Sequence, residues 1–178
     1  SAEVVAIVAP GVLWIGFTFA GTLGLSRAFA LEKERGGIEG LMLCPVGREQ
    51  IYLGKMLASF LFILAVELVM LPIFGVLFNL PLLLPWLWLV AVLATLGFSA
   101  VGTVFSAMAV NTRAREIMLP VLFFPIAVPV IIAAVEATRA VLAGEPWGDF
   151  RRWIELTAAF DAVFVAAAAA TFEFVLGD

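Results

Sequence analysis

Three carboxyl groups sit where a carboxyl is costly. Glu67, Asp161 and Glu173 each lie inside a long apolar run. An ionisable group in such a setting faces the protein interior or a partner. Glu67, near the middle of its run, can be protonated, can pair with a basic group from another subunit or from a helix ahead of Ser1, or can hydrogen-bond to a neighbouring helix. Asp161 lies nearer the start of its run, and Glu173 near the end, within reach of water. No nucleophile–base pair accompanies them. The chain has no histidine, which removes the commonest general base and metal ligand at once. Its single cysteine, Cys44, can form no intrachain disulfide and reads as apolar filler. There is no catalytic constellation, no metal-ligand cluster, no phosphate-cradling Gly-rich loop ending in Lys-Ser/Thr, and no basic–aromatic surface for nucleic acid. The chain is not expected to be an enzyme.

The elements that hold these residues follow from composition. Of the 178 residues, 64% are apolar and 13% charged, with a mean hydropathy of +1.15. A soluble domain is about half apolar and about a quarter charged. A hydrocarbon layer about 30 Å thick is crossed by about 20 apolar residues of helix, and five runs reach that length: 4–25, 56–78, 86–110, 118–137 and 154–176. Each must be helical, because an open sheet edge cannot be satisfied in lipid. The expected fold is therefore an all-α integral membrane protein, 1–178 forming one transmembrane domain.

Lysine and arginine set the orientation. Residues 26–55 hold Arg27, Lys33, Arg35, Arg48 and Lys55, and residues 111–117 hold Arg113 and Arg115. The opposite side has only Arg139, Arg151 and Arg152, in residues 138–153. The richer side is expected to be cytoplasmic, placing Asp178 inside and the start of the chain outside. An outside start suggests a further helix ahead of Ser1, giving six spans in the full protein. Nothing near Ser1 resembles a signal peptide. Trp86, Trp88, Trp147 and Trp153 fit one headgroup belt on the outer side. Residues 145–150 suggest a short separate interfacial helix there.

Residues 26–55 carry the most information. Leu25, Phe29 and Leu31 extend an apolar face, Glu32, Lys33, Glu34 and Arg35 form a charged crest, and Gly36 and Gly37 stop the helix. Ile38, Leu41 and Met42 then suggest a short amphipathic helix, roughly Gly37–Leu43, ended at Pro45. Lys55 reaches back to the headgroups from the mouth of the second run. A protruding element that combines apolar and charged groups suits docking to a soluble partner. The plainer alternative is an ordinary charged loop.

The order Glu32-x-Glu34-x-Gly36-x-Ile38-Glu39-x-Leu41, then Pro45-Val46, then Gly54-Lys55, resembles the coupling segment of type 2 ABC exporter permeases. Ala9–Ile15 and Leu119–Ile132, the latter with Pro120, Pro125 and Pro129, resemble the haem exporter protein B family (CcmB), membrane subunit of the cytochrome c maturation ABC complex. The resemblance runs from Ala9 to the last span. It implies six spans and a function in haem export or in ATP-driven release of a haem-loaded chaperone. It implies location in the bacterial inner membrane. No cofactor would be bound by this chain alone: haem would be the substrate of the complex, and ATP would bind the partner subunit. The implied partners are a cytoplasmic ABC ATPase docked on residues 32–49, a haem-handling membrane subunit, a small single-span subunit and a second copy of this chain. Glu32, Glu34, Gly36, Glu39, Leu41, Pro45 and Lys55 are the candidate coupling residues, and Glu67 and Asp161 the intramembrane polar ones. Three prolines in one span mark either a bent helix that forms part of a substrate path or a subunit seam, or a kinked packing helix. Two other functions stay open: a mechanical transducer that moves no haem, and a type 2 permease for a lipid, drug or glycan.

Overall fold

The computed structural model describes residues 2–34, 37, 40, 43, 45–79, 81, 84–109 and 115–175. These form five long helices: α1 (Ala2–Glu34), α2 (Arg48–Phe78), α3 (Pro85–Ala109), α4 (Arg115–Leu142) and α5 (Trp147–Val175). All five contain segments long and apolar enough to cross a membrane: Ile7–Arg27, Glu49–Phe78, Pro85–Ala109, Pro120–Leu142 and Trp147–Ala170. The shortest, α3, has 25 residues, or about 38 Å at 1.5 Å per residue, enough for a hydrocarbon layer about 30 Å thick. This is the all-α membrane architecture that the apolar runs predict.

The helices outrun the apolar stretches. An apolar run marks only the part of a helix that meets lipid, whereas the helix continues until its backbone is capped. The expected interfacial helix at 145–150 is a correction of this kind. Trp147 opens α5 itself, and nothing between it and Val175 breaks the helix. The preceding α4 runs on through Thr138 to Leu142 and stops where Gly144 adopts a left-handed φ of 71°. The Glu145 N–H donates to the Ala140 carbonyl at 3.0 Å and the Gly144 N–H to the Val141 carbonyl at 3.2 Å, the pairing of a Schellman cap. Asn79 ends α2 in the same left-handed region (φ 52°), its N–H donating to the Gly75 carbonyl.

Consecutive helices run in opposite directions, and α3 packs against all four others. Its sequence explains its position. Ala91, Ala94, Gly97, Ser99, Ala100, Gly102, Ser106 and Ala107 are buried. Small side chains let helix backbones approach closely where the surrounding lipid supplies no hydrophobic drive. Phe98 fits into the space left by Gly21 of α1 and meets Phe123 of α4 edge-on at 4.5 Å. On a different side of α3, about 100° around from Phe98, Asp161 and Phe160 of α5 lie against Gly97. The other helices turn large apolar side chains outward, as α2 does with Leu57, Leu61, Phe62, Leu68, Val69 and Ile73. In water such a surface would be an aggregation hazard; in a bilayer it is the lipid face.

A Cβ at Gly97 would collide with the Asp161 carboxyl and lie 3.2 Å from Phe160 Cδ1, whereas one at Gly16 meets nothing within 4 Å. Gly97→Ala is expected to destabilise the bundle by about 1–3 kcal/mol, the usual cost of overpacking, and Gly16→Ala to be near neutral. Thermal unfolding in detergent checks this; equal melting of the two variants would rule out the α3–α5 close approach.

Candidate functional site

Glu67 lies on the α2 face that meets α3, and only 1% of it is exposed. The Thr95 hydroxyl of α3 donates to Glu67 Oε1 at 2.5 Å. This is a hydrogen bond between helices, and no basic group pairs with the carboxyl among the described residues. Its second oxygen, Oε2, is buried and finds no protein partner among the described residues. Lower on α2, Tyr52 is fully buried and donates its hydroxyl to the Ala100 carbonyl at 3.2 Å. Two polar contacts, one mid-helix and one near the start of α2, therefore tie α2 to α3.

Asp161 is equally enclosed, at 4% exposed. Neither of its carboxylate oxygens has a hydrogen-bond partner among the described residues. Glu67 and Asp161 are not brought together: one meets α3 at Thr95 and the other at Gly97, about 200° away around a helix of 3.6 residues per turn. They are separate contacts on opposite sides of the central helix.

Several buried hydroxyls are satisfied close to home, whereas Thr103 Oγ1 and Ser106 Oγ of α3 find no hydrogen-bond partner among the described residues. Thr18 and Thr22 of α1 donate to the carbonyls of Trp14 and Thr18, both at 2.6 Å, and Thr157 donates to Trp153 at 2.9 Å. Such back-bonding is the ordinary way a helix absorbs a hydroxyl in lipid. Trp14 is the exception that reaches out: its indole N–H donates to Thr138 Oγ1 of α4 at 2.9 Å. Leu13, Trp14 and Phe17 pack with Val130, Ala134 and Ala137 in one cluster. The α1 stretch that carried part of the sequence resemblance thus packs on α4, mostly just beyond the α4 stretch that carried the rest.

The α4 prolines do not line the interior. The helix passes through Pro120, Pro125 and Pro129 without a break. Pro125 and Pro129 are exposed, and Phe123, Ala127 and Val130 form the buried face instead. Within this chain Pro125 and Pro129 line no interior path, and their exposed face suits a packing helix and a seam with another subunit equally.

At one end of the bundle the tryptophans form a platform. Trp86 of α3 stacks on Trp147 of α5 with centroids 4.5 Å apart, and both rings meet the buried Phe150 edge-on. The Arg152 guanidinium lies 4.9 Å from the Trp153 ring centre. Nearby, Arg139 bridges Glu136 at 3.0 Å and Glu145 at 3.1 Å; such half-exposed pairs contribute at most about 1 kcal/mol.

The coupling candidates lie at the other end. Glu32 and Glu34 occupy the last turn of α1, and Pro45 is an exposed bend just ahead of α2. Lys55 is half-buried in the second turn of α2. Gly37 and Gly40 have helical backbone. Gly36, Glu39 and Leu41 lie outside the described residues. Sequence reading missed Thr95, Thr138 and Gly97. A threonine in an apolar run, or a glycine in one facing helix, was the available signal, but it does not say which residue lies opposite.

The comparisons with known proteins agree with one another. The family described as CcmB protein matches residues 1–175. A heme exporter protein B from Paracoccus denitrificans is 35% identical over 138 residues, covering 77% of this chain and 63% of the relative. Its counterpart from Rhodobacter capsulatus is 33% identical over the same shares. One from Pseudomonas aeruginosa is 31% identical over 146 residues, covering 82% of this chain and 66% of the relative. The chain thus spans less than two thirds of the length of the first two relatives.

A double-mutant cycle on Glu67→Ala and Thr95→Val should return a coupling of about 0.6–1.7 kcal/mol, the range for hydrogen bonds between membrane helices. Unfolding in mixed micelles measures it. Strict additivity would show that the bond does not hold α2 to α3.

Proposed function

This chain belongs to the CcmB protein family, and from that membership we propose that it is the membrane subunit of an ATP-driven ABC complex in cytochrome c biogenesis. The observation that carries the proposal is the family match over residues 1–175, supported by relatives named heme exporter protein B. In this reading the chain sits in the bacterial inner membrane as one transmembrane domain, with residues 26–55 and the C-terminus in the cytoplasm. The complex handles haem. ATP is hydrolysed by a separate cytoplasmic subunit docked on residues 32–49, and a haem-handling membrane subunit, a small single-span subunit and a second copy of this chain complete the assembly.

The fold supplies a route for force. The proposed docking segment runs directly into α2 at Arg48. The Tyr52–Ala100 and Glu67–Thr95 hydrogen bonds then fasten α2 to α3. Because α3 packs against every other helix, a push on the segment is delivered to the whole bundle and not dissipated in one mobile hairpin.

A second reading is supported by the absence of histidine and by the pairing of Thr18, Thr22 and Thr157 back to their own helices. Neither feature suits a path that ligates haem. The chain would then be a transducer, carrying ATPase strokes across the membrane to release a haem-loaded chaperone without moving haem. Vesicles containing the complete complex separate the two. ATP-dependent haem movement excludes the transducer, and chaperone release without flux excludes the exporter.

Reversal of charge at Glu32 or Glu39 (Glu32→Lys, Glu39→Lys) is expected to weaken co-purification of the ATPase subunit severalfold while membrane insertion is unchanged. ATPase recovery equal to that of the unaltered chain would place the docking site elsewhere.

A further inference from the structure

The part of α2 nearest the docking segment meets the bundle along a narrow line. Between Gln50 and Phe62 only Ile51, Tyr52 and Met56 are buried, while Leu53, Leu57 and Leu61 face outward. Tyr52 is enclosed completely. It shares a buried cluster with Ala100 and Ala107 of α3 and Ala168 of α5, where small side chains leave room for a ring. Its hydroxyl donates to the Ala100 carbonyl at 3.2 Å, with Met56 Sδ 3.5 Å away. A tyrosine suits this place because its ring packs as an apolar body while its hydroxyl fixes the height at which it packs.

The chain itself gives this end of α2 no short link to the centre. α2 runs on to Phe78 before the chain turns back into α3 at Pro85. A push arriving at Arg48 therefore crosses to α3 through side chains. Tyr52 lies about 6 Å along the axis from Arg48, and Glu67 about 22 Å beyond it, at 1.5 Å per residue. Without the Tyr52 ring and hydroxyl, Ile51 and Met56 hold this end by apolar contact alone, which resists separation but not sliding. The first polar fastening is then Glu67, and the helix below it is a long lever that swings in lipid without moving its neighbours.

We infer that Tyr52 is the positioning residue that converts movement of the docking segment into movement of the bundle, its ring seated among the α3 and α5 alanines and its hydroxyl fixed on Ala100. The inference rests on the reading of this chain as the membrane subunit of an ATP-driven complex, and adds to it the point at which force enters and α5 as its second receiver. α3 and α5 are joined again at the far end by the Trp86–Trp147 stack. Gripped at Tyr52 and stacked at the tryptophans, the pair crosses the bilayer as one strut, so a displacement at one face reaches the other.

The test uses the complete complex in vesicles, carrying Tyr52→Leu or Tyr52→Phe. Two quantities are read per assembled complex: ATP hydrolysed, and ATP-dependent haem movement or chaperone release, whichever the unaltered complex performs. Tyr52→Leu is expected to keep the ATPase subunit bound and hydrolysing while the work done per ATP falls severalfold. Tyr52→Phe, which keeps the ring, is expected to recover most of it. A merely structural residue would lower the yield of complex and leave the work per ATP unchanged, and that result in assembled Tyr52→Leu would overturn the inference. If Tyr52→Leu does not assemble, the native Tyr52 decides the matter. Spin labels placed by Leu53→Cys on α2 and Ala167→Cys on α5, both exposed, with Cys44 replaced, are expected to keep their separation between the nucleotide-free and ATP-trapped complex. A change of a helical turn or more, about 5.4 Å, would show that α2 slides past α5 and would overturn the inference. An unaltered complex that does no ATP-dependent work would instead overturn the functional reading, and this inference with it.

Discussion

Close approach of backbones at α3 is the constraint on which the other helices depend. Lipid chains are as apolar as leucine, so helices in a bilayer are not driven together by exclusion from water. They associate through packing, and packing is greatest where side chains are small enough to bring whole helix surfaces into contact. Gly97, Ala100, Gly102 and Ala107 give α3 that property on several sides at once. The large residues that meet it come from its neighbours: Leu25 from α1, Phe123 from α4 and Phe160 from α5. A helix of leucines in the same place could touch the same neighbours only by holding them further apart.

That arrangement also explains where the polar groups went. A carboxyl or hydroxyl in hydrocarbon must be enclosed by protein, and the surface most completely enclosed is the one around α3. Glu67, Tyr52 and Asp161 all reach it from other helices, at Thr95, Ala100 and Gly97. Polar residues thus serve as fixed points in an interface that packing alone leaves free to slide. In α2, which turns much of its surface to lipid, the two hydrogen bonds are the firmest link between the segment preceding it and the centre of the bundle. The functional proposal depends on that link, because a coupling segment can do no work on a bundle to which its own helix is loosely attached.

Some of this was legible in the residues and some was not, for identifiable reasons. Helix number and direction follow from hydropathy and lipid thickness, and the five apolar runs became five helices. Element ends were less legible. The polar, tryptophan-bearing stretch after Glu145 looked like a separate surface helix, but polarity changes where a helix leaves lipid without ending the helix, so α5 simply begins there. Glu67 and Asp161 stood out as costly residues, yet their partners did not. Which side chain lies opposite depends on the rotation and offset of two helices, and periodicity in one helix does not encode either. Thr95 in particular looked like one tolerated hydroxyl among several. Pro120, Pro125 and Pro129 were visible as a group, while their position relative to the interior became clear only once Phe123 and Ala127 were seen to occupy the buried face.

The functional proposal, which starts from the chain's likeness to heme exporter protein B, is that this bundle is moved by an ATPase acting from the basic side. Purification of the full-length protein from its native membranes in mild detergent, followed by identification of what accompanies it, tests that claim most directly. The account predicts stoichiometric recovery of an ABC ATPase subunit together with membrane subunits of cytochrome c maturation. Recovery without any ATPase, or with an ATPase but none of those subunits, would contradict it.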